Sequence, residues 1–278
     1  MRWSSRSRAL RKLFGNYADQ SSEFFSDLLI ILQECVFAAY LAFSLREKMS
    51  LKTNDEPLSD GMELRLYNSN ICPYAQRPRL VLAAKGIPYE LSEIDLTVPR
   101  PDWYLKNLNP NGTVPSMLHN GHNIYESLVC CDYIEEVYPE PTLYHPDPLK
   151  RAFERIYIQT WASKGIPAFY KLYKEHPITD EGKENLLNGI GKMDSLLKEA
   201  KSDYFSGTNK PGMADYMIWP WFERISFMKD LVGLNISESN YPSITSWISR
   251  LLKDKVAQEA NTNKDIFTAG FKKFHPGD

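Results

Sequence analysis

Cys72 follows a short apolar run, Leu64 to Tyr67, and precedes a helical pattern that includes Leu80, Val81, Ala83 and Ala84. It therefore sits where a strand turns into a helix. Pro73 occupies the first helical position, where its missing N–H costs nothing. The free backbone N–H groups and the positive end of the helix dipole at such a spot both stabilise a thiolate. Arg77 and Arg79 add positive charge one to two turns on. Since the thiolate and not the thiol is the nucleophile, the placement predicts a reactive cysteine. Ala75 stands where a C-x-x-C motif would have its second cysteine. The thiol cannot close an internal disulfide there, and its exchange chemistry requires a second thiol brought in from outside.

The elements that position Cys72 read as an alternation of strand and helix over residues 62–140. Glu63 to Tyr67 alternates polar and apolar, as a strand does. The helix after Pro73 stops near Gly86, a good C-terminal cap, and residues 87–94 read as a second, edge strand after Pro88. A helical piece around Trp103 to Asn107 precedes two short apolar runs, Val114 to His119 and His122 to Tyr125, separated by Asn120-Gly121. Asn-Gly in that setting is a strong hairpin signal and makes His119 and His122 cross-strand neighbours. A further helix opens at Glu126-Ser127. The order β-α-β-α-β-β-α is a thioredoxin-like layout. Four prolines between Pro139 and Pro148 then mark a linker, read as residues 141–148, with Asp147-Pro148 as the start of a helix. From 149 to 278 apolar residues recur at helical spacing, so the fold class is an α/β thioredoxin-like domain followed by an all-α domain.

The bulk composition is that of a globular protein: 278 residues, 43% hydrophobic, 24% charged and a net charge of −2. No basic patch dominates, which argues against a nucleic-acid partner. Four cysteines, Cys35, Cys72, Cys130 and Cys131, are too few for a secreted disulfide framework, and a cytoplasmic protein is expected. Residues 1–61 read as an extension outside the fold. Its first 22 residues are basic and serine-rich, as in a mitochondrial transit peptide. An apolar stretch from Leu28 to Leu45 is marginal as a membrane span because Gln33 and Glu34 interrupt it.

Four segments carry a family resemblance: Cys72 to Arg77, Asn111-Gly112-Thr113-Val114-Pro115, Tyr125-Glu126-Ser127, and Asp215 to Arg224 with its Trp219-Pro220-Trp221-Phe222-Glu223-Arg224 run. The chain resembles the omega class of cytosolic glutathione transferases over roughly residues 62–270. The resemblance implies that glutathione is the outside thiol and that Cys72 forms a mixed disulfide with it. It implies a cis bond before Pro115 and pairing of the Val114 backbone with glutathione's cysteinyl unit. It implies that Ser127 holds the γ-glutamyl carboxylate at a helix start, that Glu126 faces the α-amino group, and that Arg100 stands for a family lysine, with one residue extra in the segment. The activities implied are glutathione-dependent thiol transfer and reduction, including dehydroascorbate reduction, deglutathionylation and methylarsonate reduction, with weak conjugation. The second substrate is then a small oxidised or electrophilic molecule, and the assembly a homodimer. The alternatives are a conventional conjugating transferase and a membrane-associating protein of the chloride-intracellular-channel kind.

Two departures and several bystanders complete the reading. Gly212 replaces the family's Ser or Thr three residues before Asp215, which removes the side-chain half of a capping box. Cys130 and Cys131 lie inside a helix and read as packed. No third ligand accompanies His119 and His122, so no metal is expected. Tyr170, Trp219, Trp221 and Phe222 read mostly as core, with one or two of them lining an acceptor pocket.

Overall fold

The structure is a computed structural model and describes residues 64–275; the extension read over residues 1–61 lies outside the described residues. A four-stranded sheet has the order β2-β1-β3-β4, formed by β1 (Leu64–Asn68), β2 (Glu90–Glu93), β3 (Ser116–His119) and β4 (His122–Tyr125). β1 is parallel to β2 and antiparallel to β3, and β3 and β4 form a hairpin in which His119 faces His122. Asn120 and Gly121 both take positive φ, as a two-residue hairpin turn requires. Helices α1 (Pro73–Lys85), α2 (Asp102–Asn107) and α3 (Ser127–Val137) complete the thioredoxin-like order read from the chain. The strand expected over 87–94 begins later, at Glu90.

β1 forms where the polar–apolar alternation predicts a strand. All five of its residues are buried. Leu64 and Leu66 join the larger core with α1 and α3, while Tyr67 joins a smaller cluster with Ile94, Tyr104, Leu108 and Val114. The alternation distinguishes two interiors rather than an inside and an outside. Arg65 is tolerated because its register neighbour on β2, Glu90, accepts from Nε at 2.7 Å and lies 2.6 Å from a second guanidinium nitrogen. A charge inside a protein survives only when so paired.

Beyond Tyr125 the described residues form helices only: α3, then α4 (Pro148–Thr160), a π-helical turn (Trp161–Gly165), α5 (Ile166–Lys174), α6 (Asp180–Ala200), α7 (Met213–Val232), α8 (Pro242–Leu251), α9 (Lys255–Glu259) and α10 (Lys264–Phe274). Asp147 caps α4 as its sequence predicts, accepting the Leu149 N–H at 2.8 Å. α7 is the central member, buried along both its polar and apolar residues. Its first turn is organised by Asp215, which accepts from the N–H groups of Phe205, Ser206 and Gly212 and from the Trp247 indole. Only half of the capping box is lost at Gly212, because Asp215 still holds its N–H. A Cβ at Gly212 would lie 2.6 Å from the Leu143 carbonyl oxygen and from Ser206 Cβ, so close packing leaves no room for the family's hydroxyl residue.

The sheet region is tied to the chain beyond α3 by Lys85, at the end of α1. Its buried ammonium donates to the carbonyls of Tyr138 and Pro141 at 2.6 and 2.9 Å and forms an ion pair with Glu135 at 2.6 Å. Glu154 makes a weaker provision. It accepts the His145 N–H at 2.8 Å, but its second carboxylate oxygen is buried without a partner. Burial pushes this carboxyl up to about 7, against the His145 and Ala214 N–H groups that lower it. A raised folded-state value means that the stabilising contribution is full below the unfolded value and is lost as pH rises through about 7. Replacing Glu154→Gln is therefore expected to flatten the pH dependence of the melting temperature between about 4.5 and 7, relative to wild type, and to raise stability on the alkaline side. Paired thermal melts across that range check it.

Candidate functional site

Cys72 is the N-cap of α1, with extended backbone and Pro73 following. Its own N–H closes a turn onto the Ser69 carbonyl at 2.9 Å, and its carbonyl accepts the first helical bond, from Gln76, at 3.2 Å. Cys72 is half-buried, and its S–H points to the Val114 carbonyl at 3.8 Å. Val114 lies outside the β3 ladder, which begins at Ser116, and precedes a cis bond to Pro115. The loop that delivers it is built by three side chains. Tyr104 Oη and Asn109 Nδ2 donate to the Thr113 carbonyl at 2.7 and 3.0 Å, and Arg100 Nε donates to the Gly112 carbonyl at 3.1 Å. Gly112 has φ +65, and a side chain there would also crowd Arg100 and Leu105.

The helix start expected at Glu126-Ser127 is present, with a feature that spacing along the chain does not reveal. Glu126 is exposed and has φ +71, a conformation uncommon outside glycine. Ser127 opens α3, and its hydroxyl oxygen accepts from Arg77 NH1 at 3.1 Å. With Arg77 on the oxygen, the Ser127 proton is left to donate to a ligand acceptor. Arg77 also donates from Nε to the Met217 carbonyl at 2.9 Å and lies 4.6 Å above the Trp221 ring. Its remaining nitrogen, NH2, is buried without a hydrogen-bond partner. Arg77 is thus part of the site, which its distance of fifty residues from Ser127 hid from sequence reading.

Arg100 is folded back onto its own loop. Beyond Gly112, its guanidinium donates to the carbonyls of Asp95, Leu96 and Val98. Four of its five N–H groups therefore hold the loop that precedes Val114, and its demonstrated work is to shape that loop. The extra residue noted in this segment is consistent with an arginine folded back onto its own backbone.

The acidity expected of Cys72 also needs correction. Burial pushes the thiol above its ordinary value of 9.0. The Ala75 and Tyr74 N–H groups and the Arg224 and Arg77 charges pull it down without overcoming that. Among the aromatic candidates, Trp219, Trp221 and Phe222 are fully buried core residues, whereas Tyr170 is partly exposed. Tyr170 stacks on Tyr74, two residues from Cys72, with ring centroids 6.4 Å apart and planes 9° from parallel. Cys130 and Cys131 are buried, as their helical placement predicts. The His119 ring nitrogens are taken by Tyr133 and Tyr138 hydroxyls at 2.9 and 3.3 Å. Among the described residues no cluster suited to a metal ion occurs, and no helix is long and apolar enough to cross a membrane.

A thiol at a helix start, a backbone strand-end beside it and a hydroxyl at a second helix start, joined to an all-helical second half, define the glutathione transferase fold and site. Family models agree: the glutathione S-transferase N-terminal domain matches residues 66–142 and its C-terminal domain residues 177–250. Pig glutathione S-transferase omega-1 is 34% identical over 201 residues, covering 71% of this chain and 80% of its own length. Drosophila melanogaster pyrimidodiazepine synthase is 37% identical over 202 residues, covering 70% and 79%. The crystal structure of a rice glutathione transferase in complex with glutathione superposes with a TM-score of 0.67 at 22% identity, over 74% of this chain and 96% of that one. The chain belongs to the glutathione S-transferase family, in its omega class.

Of the three described cysteines, only Cys72 is expected to react with iodoacetamide in the folded protein, Cys130 and Cys131 becoming reactive on unfolding. Because burial raises the Cys72 thiol, its alkylation rate in the free protein should still be climbing above pH 9. Peptide mapping of alkylated samples over a pH series checks both.

Proposed function

We propose that the protein is a glutathione-dependent thioltransferase and reductase that works through a mixed disulfide on Cys72. The observation that carries this reading is the approach of the Cys72 sulfur to the Val114 carbonyl at 3.8 Å. A peptide whose cysteinyl backbone pairs with Val114 as an added strand presents its own sulfur beside Cys72. Glutathione is such a peptide, and its γ-glutamyl carboxylate matches the Ser127 hydroxyl backed by Arg77. Glu126 stands at the same helix start for the α-amino group. Pro115 fixes the chain beyond Val114, and Arg100 acts by holding the loop that carries it. A cysteine in this place favours thiol exchange over conjugation, because it bonds to glutathione's sulfur instead of hydrogen-bonding to it.

In the first step the Cys72 thiolate attacks the glutathionyl sulfur of a substrate disulfide. The Cys72–glutathione disulfide forms and the substrate leaves as a thiolate. In the second step a glutathione thiolate attacks the glutathionyl sulfur of that disulfide, releasing oxidised glutathione and the Cys72 thiolate. Reduction of dehydroascorbate or methylarsonate takes two electrons from two glutathiones with the same resolving step. Exchange is fastest for a thiol whose pKa lies near ambient pH. Tyr170, stacked on Tyr74, is placed to form one wall of the acceptor pocket.

We assign a homodimer as the working unit. Leu149, Phe153 and Ile156 are exposed at i, i+4 and i+7 along α4, an apolar stripe of the kind that marks a protein interface.

Replacing Cys72→Ser is expected to reduce dehydroascorbate reductase and disulfide-exchange activity to the uncatalysed rate, and full retention would overturn the reading. Ser127→Ala should raise the KM for glutathione about tenfold, roughly the value of one hydrogen bond to a charged group. An aryl-halide conjugation assay run in parallel should stay low in wild type. Phe153→Glu should shift the species seen by light scattering from dimer to monomer.

A further inference from the structure

Cys72 is held by a polar network that reaches it from the other half of the chain. Arg224, in the middle of α7, is fully buried. It donates from Nε and NH2 to the Ile71 carbonyl at 3.3 and 3.1 Å. Its NH1 donates to Gln76 Oε1 at 2.6 Å and to the Pro220 carbonyl at 2.7 Å. Gln76 in turn donates to Glu223 at 2.8 Å and to the Ala260 carbonyl at 3.0 Å, and accepts from the Thr262 hydroxyl at 3.2 Å. Glu223 also accepts the Thr262 N–H at 3.2 Å and lies 3.8 Å from Arg224 NH1.

This arrangement has a specific consequence for the sulfur. A peptide unit is planar, so the Ile71 carbonyl and the Cys72 N–H lie in one plane. That plane is pinned at both ends: the carbonyl by Arg224 and the N–H by the Ser69 carbonyl. The Cys72 carbonyl is fixed by the Gln76 N–H, and the Gln76 side chain is bound to the same guanidinium. Arg224 thus bonds groups on both flanks of Cys72, directly at Ile71 and through the Gln76 side chain, and with the two backbone bonds it restrains the direction of the Cα–Cβ bond. We propose that Arg224 is a positioning residue for Cys72, fixing the Ile71–Cys72 peptide and placing a positive charge behind the sulfur, with residues 260–262 completing the clamp. The proposal rests on Cys72 being the reacting group but not on which substrate it serves.

The charged and titratable groups facing Cys72 come from three helices: Tyr74 and Arg77 of α1, Tyr170 of α5 and Arg224 of α7. Arg224 lowers the thiol more than Arg77 does, and burial raises the Tyr74 and Tyr170 phenols above their ordinary value. The test tracks alkylation of Cys72 by iodoacetamide against pH, and mixed-disulfide formation with oxidised glutathione, in wild type, Arg224→Met and Arg224→Lys. Circular dichroism and thermal melts establish which variants fold. Arg224→Met removes charge and clamp together, and its alkylation midpoint should move up by about one pH unit. Arg224→Lys keeps the charge, but a single ammonium cannot reproduce the fork that reaches Ile71 and Gln76 together. Its midpoint should stay near wild type while mixed-disulfide formation slows about tenfold, the effect of misplacing a reacting atom.

A folded Arg224→Met protein with the wild-type alkylation profile would overturn the proposal. So would an Arg224→Lys protein that forms the mixed disulfide at the wild-type rate, and this second variant decides the matter if Arg224→Met does not fold. A wild-type Cys72 that resists alkylation throughout would instead overturn its role as the reacting group.

Discussion

Everything in this molecule that bears on chemistry depends on burying the start of α1 against α7 without leaving its polar groups unmet. A helix start exposes N–H groups, and a strand-to-helix turn exposes a carbonyl just before it. In water these would be hydrated. Here they face another helix, so α7 must bring partners to them. It does so with a backbone carbonyl at Met217 for Arg77 and a guanidinium at Arg224 for the Ile71 carbonyl. The interruption of α7 by Pro220, which lacks an N–H, falls between these two contacts. A single interface thus does structural and chemical work at once, since the groups that satisfy α1 also set the electrostatics around the sulfur.

That dual use explains the balance seen at Cys72. The same burial that brings Arg224 and Arg77 close enough to matter removes the water that would otherwise stabilise a thiolate. An isolated helix start would have given an acidic thiol. A helix start enclosed between two domains gives one whose charge depends on what fills the remaining space, so the pocket and the nucleophile cannot be tuned separately.

The order of strands and helices was legible because periodicity, Asn120-Gly121 and the Asp147-Pro148 cap are local signals, although the second strand is shorter than the run that predicted it. Cys72, the cis bond before Pro115, the Ser127 helix start and the buried Cys130 and Cys131 were legible for the same reason, helped by the resemblance. What escaped was whatever required knowing a partner far along the chain. Arg65 had no visible partner until Glu90 stood opposite it. Arg77 looked like diffuse positive charge until it reached Ser127. The bonds of Arg100 to its own loop could not be read along the chain. Gly212 looked like a lost cap until Leu143 and Ser206 were seen to fill the space. In each case the residue type was informative and the partner was not.

The reach of the Gln76 network to Ala260 and Thr262 has a consequence for how the protein is made. The chain is synthesised from its N-terminal end, and domains tend to fold as they emerge. The sheet and α1 can form early, but Gln76 and Glu223 acquire their last partners only when residue 262 has left the ribosome. Until then the turn carrying Cys72 lacks part of its support. The turn carrying Cys72 is therefore completed only when the helical half of the chain has folded onto it.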